Sequence, residues 1–155
     1  MVSYKKDGKW SDPESIADNI NTNGHDASIA ISIDGQRLFI YKQTSKDGGD
    51  VYSSDLNGDN WSKPERLEGD VNTKEWEGSA TLASDGKTLY FSSDRVGGFG
   101  GRDIYSAKLQ SDDSWGEVKN LGPVINTRFD DDAPFIHADR RTLYYSSKGH
   151  NSMVG

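Results

Sequence analysis

One acidic residue returns at the same step three times: Asp26, Glu77 and Asp131. Each stands five positions after the asparagine of an Asn-Thr pair, at Asn21-Thr22, Asn72-Thr73 and Asn126-Thr127. Carboxylates placed by a repeat could ring a channel mouth and hold a cation, or the cationic group of a ligand. Asp130 and Asp132 add charge in one repeat. The competing reading is structural: a residue kept in every repeat accepts hydrogen bonds from turn N–H groups and fixes a connection. Both readings stay open on the sequence.

A second candidate is the loop Asp94-Arg95-Val96-Gly97-Gly98-Phe99-Gly100-Gly101-Arg102-Asp103. Its glycines let backbone N–H groups approach an anion, and Asp94 and Asp103 could ligate Ca2+. No helix pattern follows it, so a nucleotide loop is excluded. A long strand connection with glycines at positive φ accounts for it as well. Phe99 at the tip is a candidate contact residue. Trp76 breaks the repeat pattern where the other repeats carry His25 and Phe129, so these three form a candidate binding rim. No other cofactor is expected.

Catalysis finds little support. His25, His137 and His150 show no metal-type spacing, and no Gly-x-Ser-x-Gly elbow occurs. The Ser-Asp-Gly turns differ from a sialidase Asp-box, which separates Asp from Gly. A glycoside hydrolase would need two converging carboxylates about 5–10 Å apart, and turn chemistry already explains most of the acids.

These residues are positioned by a threefold repeat. Trp10, Trp61 and Trp115 each open a polar segment, at intervals of 51 and 54 residues. After the acid comes a hairpin: 32–41, 84–93 and 138–147. Asp-(Val/Ile)-Tyr follows twice, at 50–52 and 103–105. Within one repeat the pattern predicts strands over 79–83, 88–93, 103–109 and 115–120, with an Asp-Gly turn after the first. No 11-residue stretch has a helical period. Four strands in roughly fifty residues is the arithmetic of a propeller blade. The three tryptophans are expected to pack between blades.

Composition agrees. Sixteen aromatics oppose disorder. A net charge of -7 disfavours nucleic acid and anionic membranes as partners. There is no cysteine, and no apolar run approaches the roughly 20 residues of a membrane span. Residues 1–20 carry no signal-peptide core.

The run TLYFSSDRVGGFGGRDIY, then Trp115, then NLGPVINT and DDAPF, resembles the TolB-type, WD-repeat-like β-propeller repeats of Bacteroidetes envelope proteins. These often accompany OmpA-like peptidoglycan-binding domains. The resemblance spans the chain and is best over 77–134. Lys42-Gln43-Thr44-Ser45 departs from it, as does Arg140 in place of a turn glycine. It implies a non-catalytic scaffold in the periplasm or at the outer membrane, with a protein or cell-wall partner.

The expected fold is an all-β propeller of four-stranded antiparallel blades. It divides into a half-blade 1–22, blades 26–73 and 77–127, and a half-blade 131–155. Known propellers have four to eight blades, so the repeats are read either as part of a longer propeller or as half of a six-bladed homodimeric ring. Peptidoglycan or other carbohydrate binding, a glycosidase, and an engineered propeller without a ligand remain as alternatives.

Overall fold

A computed structural model describes residues 1–22, 24–43 and 48–151. Positions 44–45 of the departing segment and 152–155 of the last half-blade lie outside these residues. Every strand and every sheet among the described residues follows the repeat. A short hairpin, β1 (Lys5–Lys6) and β2 (Lys9–Trp10), comes first. The first blade holds β3 (Asp26–Ile31), β4 (Arg37–Lys42), β5 (Asp50–Asn57), β6 (Asn60–Trp61) and β7 (Glu65–Arg66). The second blade holds β8 (Glu77–Leu82), β9 (Thr88–Ser93), β10 (Asp103–Leu109) and β11 (Trp115–Asn120). A last hairpin holds β12 (Asp131–Ile136) and β13 (Leu143–Ser147).

The second blade is an antiparallel meander in the order β11-β10-β9-β8. Its second, third and fourth strands match the expected ranges. The first begins two residues earlier, at Glu77 itself. The reason is the same in each repeat: the acid pairs directly with the end of the second strand, as Asp26↔Lys42, Glu77↔Ser93 and Asp131↔Ser147. In the first blade the fourth strand is split. Both β6 and β7 pair with β5, and Pro64, which has no N–H to give a ladder, lies in the gap.

β3 packs beside β8, and β8 beside β12, so the first strands form one inner layer. The main core lies between the two blades. Phe39, Val51, Leu67, Leu89, Phe91 and Trp115 are all buried there. Trp115 meets Phe39 edge-on, with centroids 6.3 Å apart, at 2% exposure. A smaller cluster of Ile20, Leu38 and Ile40 takes Ile16, Ala17 and Trp61 against it. Trp10 departs from the expectation for the tryptophans. It is 68% exposed, because among the described residues no second strand stands beside its hairpin.

Gly69, at φ +94, shows why that position tolerates no side chain: an added Cβ would lie 2.2 Å from the Trp115 carbonyl oxygen. The close approach lets Trp115 N–H donate to Glu68 and Asp70 N–H donate to Trp115.

Candidate functional site

The Asn-Thr pair and the acid build the joint between blades. The Asn72 amide clasps the third strand of its own blade at two points: Val51 N–H donates to Oδ1 at 2.8 Å, and Nδ2 donates to Val51 C=O at 2.8 Å. Asn126 does the same to Ile104, at 2.8 and 2.9 Å. The next residue then passes its N–H to the acid opening the following blade: Thr22 to Asp26, Thr73 to Glu77, Thr127 to Asp131. Among the described residues the three acids share no partner. Each is turned into its own connection.

Their surroundings differ. Glu77 also accepts from Thr73 Oγ1 at 2.8 Å and Ser93 Oγ at 2.6 Å, and pairs with Arg95 at 3.4 Å. Asp26 faces Lys42 at 3.5 Å. Burial pushes the Asp26 carboxyl up, but hydrogen bonds from Thr22 and the Lys42 charge outweigh it, so it lies below its ordinary value. Asp131 is fully buried, and its Oδ1 has no partner among the described residues.

The rim residues stand on loops of one face. Trp76 is not an open platform. Its ring lies on the backbone at Gly78, where an added Cβ would touch it, and the Arg102 guanidinium covers it at 3.9 Å. Phe99 and Phe129 are exposed on touching loops, since Gly100 rests on the carbonyls of Thr127 and Phe129. His25 is exposed in the corresponding loop of the first blade. The two aspartates proposed for Ca2+ have separate tasks. Asp94 accepts from Trp76 N–H at 2.7 Å. Asp103 accepts from Phe99 N–H, Gly100 N–H and Asn120 Nδ2. No three His, Cys, Asp or Glu side chains among the described residues converge to hold a metal.

Beside Trp76 a cavity of about 210 Å³ is lined by Arg102, Asp130, Asp132, Ser146, Ser147 and Lys148. Arg102 bonds Asp132 at 2.7 Å, and Lys148 bonds Asp130 at 2.6 Å. Lys148, with Arg102 N–H, holds the Asp130 carboxyl below its ordinary value. Burial pushes Asp132 up, yet Ser92, Ala133 N–H and Arg102 outweigh it, leaving it lowered too. Both acids are therefore anions across neutral pH. Arg102 and Lys148 escaped the sequence reading because neither belongs to a repeated position. The signal available was local: Asp130 and Asp132 carry charge that the repeat does not need.

No protein-family description matches the chain, and no curated protein matches it. Solved structures do. TolB from Acinetobacter baumannii superposes with a TM-score of 0.58 at 22% identity, over 84% of this chain and 28% of that one. A TolB structure from Agrobacterium tumefaciens gives 0.59 at 18% identity, over 81% of this chain and 39% of that one. The chain thus spans between a quarter and two fifths of the length of these proteins. Its fold is the TolB-type β-propeller fold, as the repeats implied.

Proposed function

We propose that the chain is a non-catalytic β-propeller binding module of the bacterial cell envelope. It works as a six-bladed ring of two copies and holds a protein partner at the rim beside Trp76. One observation carries this reading: the two carboxylates facing the rim cavity are each bonded to a cation and held below their ordinary values. A glycosidase needs a carboxyl that keeps its proton at working pH, hence a raised one. Fixed charges of both signs, flanked by exposed Phe99 and Phe129, suit recognition of a charged protein surface instead. The periplasmic, outer-membrane-associated setting rests on the resemblance of the repeats to envelope proteins.

The test titrates a purified OmpA-like peptidoglycan-binding domain into the protein by calorimetry. Saturable heat that an Arg102→Glu/Lys148→Glu variant loses is the expected result. Sedimentation with peptidoglycan sacculi, lost in Phe129→Ala, would replace the protein partner with a glycan. Turnover of a chromogenic glycoside panel, lost in Asp132→Asn, would make the chain an enzyme.

A further inference from the structure

The N-terminal hairpin is a structural copy of the outer half of the first blade. The Val2–Glu14 bridge repeats Ser53↔Glu65. Ser11 N–H donates to Tyr4 C=O as Ser62 N–H donates to Asp55 C=O. Tyr4 N–H reaches Ser11 Oγ as Asp55 N–H reaches Ser62 Oγ. Residues 2–6 therefore hold the closing positions of a third strand, and 9–14 those of a fourth. The inner edge of this hairpin pairs with nothing among the described residues, because β1 pairs only with β2.

The last hairpin is the complementary half. β12 and β13 pair as the first and second strands of a blade, with Phe135↔Tyr144 at the step of Ala30↔Phe39. The outer edge of β13 carries no strand among the described residues. Tyr144 is 58% exposed where its counterpart Phe39 is fully buried.

Side chains complete the match. Phe39 packs with Leu67 and with Trp115 of the next blade. Ile16 and Trp61 occupy the corresponding places one repeat earlier, and beside them lies an open groove of about 430 Å³, bordered also by Ala17, Asn19 and Asn60. Among the described residues no side chain at the Phe39 position fills this groove, and Tyr144 holds that position without a groove. Trp10 is the exposed counterpart of Trp115, and Tyr90 stands at the Phe39 position of the second blade.

We propose that a second copy of this chain completes the open blade. Residues 2–4 of one copy add to β13 of the other, antiparallel, in the register Val2 opposite Tyr144, Ser3 opposite Leu143 and Tyr4 opposite Thr142. That register is copied from Phe39↔Ser53, Leu38↔Ser54 and Arg37↔Asp55. Tyr144 of the second copy enters the groove beside Ile16 and Trp61, and Trp10 covers Tyr90 of that copy. The exchange is mutual, so two identical seams close the ring and the open edges of β1 and β13 are both paired. This interface rests on the two-copy reading above and names the residues that make it.

The chain has no cysteine, which makes the test direct. A Val2→Cys/Tyr144→Cys variant should oxidise to a covalent dimer on a non-reducing gel, reversed by reductant. Ser3→Cys/Tyr144→Cys should not, because a one-residue shift turns the side chain to the opposite face. Light scattering of the unaltered protein should give twice 17.1 kDa. A monomer at every concentration overturns the interface and the two-copy ring together. A Val2–Tyr144 disulfide within one chain overturns the second copy. A dimer mass without the Val2–Tyr144 link, or with the Ser3–Tyr144 link, overturns this interface and leaves a two-copy ring of another geometry. The calorimetric result at Arg102 and Lys148 is read separately from all of these.

Discussion

The joints at Glu77 and Asp131 are built from the same repeated residues and end in different states. At Glu77 a full blade stands behind the acid. Ser93 and Arg95 reach its carboxylate, and Arg95 lies over the stacked Phe91 and Tyr105 rings at 5.0 and 4.9 Å while it bonds the carbonyls of Asp70 and Val71. At Asp131 only half a blade stands behind the acid. His150 takes the Ile125 carbonyl at 2.9 Å, the place Arg95 takes at Val71, and packs edge-on against Tyr145 as Arg95 packs on Phe91. One Asp131 oxygen is left without a partner among the described residues. The repeat sets where an acid stands. The neighbouring third strand, present as β10 and not found beside β13 among the described residues, sets whether its surroundings are complete.

Replacing the two acids by their amides separates position from pairing, and this is the largest effect expected. Glu77→Gln leaves Arg95 buried without its counter-charge and should cost about 3–5 kcal/mol in urea denaturation. Asp131→Asn removes a charge that makes no ion pair among the described residues and should cost about 1 kcal/mol. Equal losses would mean that the Thr N–H contact alone matters, and that the comparison between the joints has no energetic content.

The asparagine clasps offer the next contrast. Asn126→Ala strips the partner from the buried Ile104 N–H, at about 1–3 kcal/mol, while the Ile104 C=O keeps the Leu121 N–H. Asn21 sits at the same step but reaches only Ser15 Oγ, at 3.0 Å. Asn21→Ala should therefore stay within about 0.5 kcal/mol of the parent. A large loss at Asn21 would show that it clasps a backbone this chain does not present to it.

The same contrast explains what was legible in the sequence. The strands over 88–93, 103–109 and 115–120 could be read because β-branched and aromatic runs between Asp-Gly and Gly-rich segments mark them locally. The start of β8 was misplaced by two residues, since a buried acid reads as a loop residue until its four acceptor contacts are known. Trp10 could not be told from Trp115, because burial depends on a neighbouring second strand and not on the tryptophan. Arg102 and Lys148 were hidden for the opposite reason: each occurs in a single repeat, and a search for repeats passes over them.

Two hairpin turns sharpen the comparison at smaller scale. Gly86 and Arg140 occupy one turn position, both left-handed, at φ 67 and 58. Arg140 offsets its backbone strain in part by an ion pair to Asp85 at 3.6 Å. Arg140→Ala and Arg140→Gly both delete that pair, so their difference reads the backbone alone. The glycine variant should be the more stable by about 1 kcal/mol, the reverse of the usual order for these two residues. A more stable alanine variant would mean that the turn relaxes out of the left-handed region once the arginine is gone.

The smallest expected effect lies one residue earlier. Asp139 accepts from Arg141 N–H, Thr142 N–H and Thr142 Oγ1 at 2.8, 2.9 and 2.9 Å, the same clamp that Asp85 makes with Lys87 and Thr88. The Arg141 N–H leads these bonds in pulling the Asp139 carboxyl down to about 2. A folded-state value below the ordinary 3.8 means the clamp contributes fully above that ordinary value, and its contribution falls away as pH drops toward about 2. Asp139 is solvent-exposed, so water and salt keep the contribution small. Carboxyl titration by NMR should place Asp139 well below an unclamped aspartate, with Thr142 amide exchange rising through the same window. Asp139→Asn should erase that pH dependence while leaving the Asp85 turn unchanged. An ordinary titration midpoint for Asp139 would mean that the half-blade turn is open in solution, and that the missing third strand loosens even the hairpin's far end.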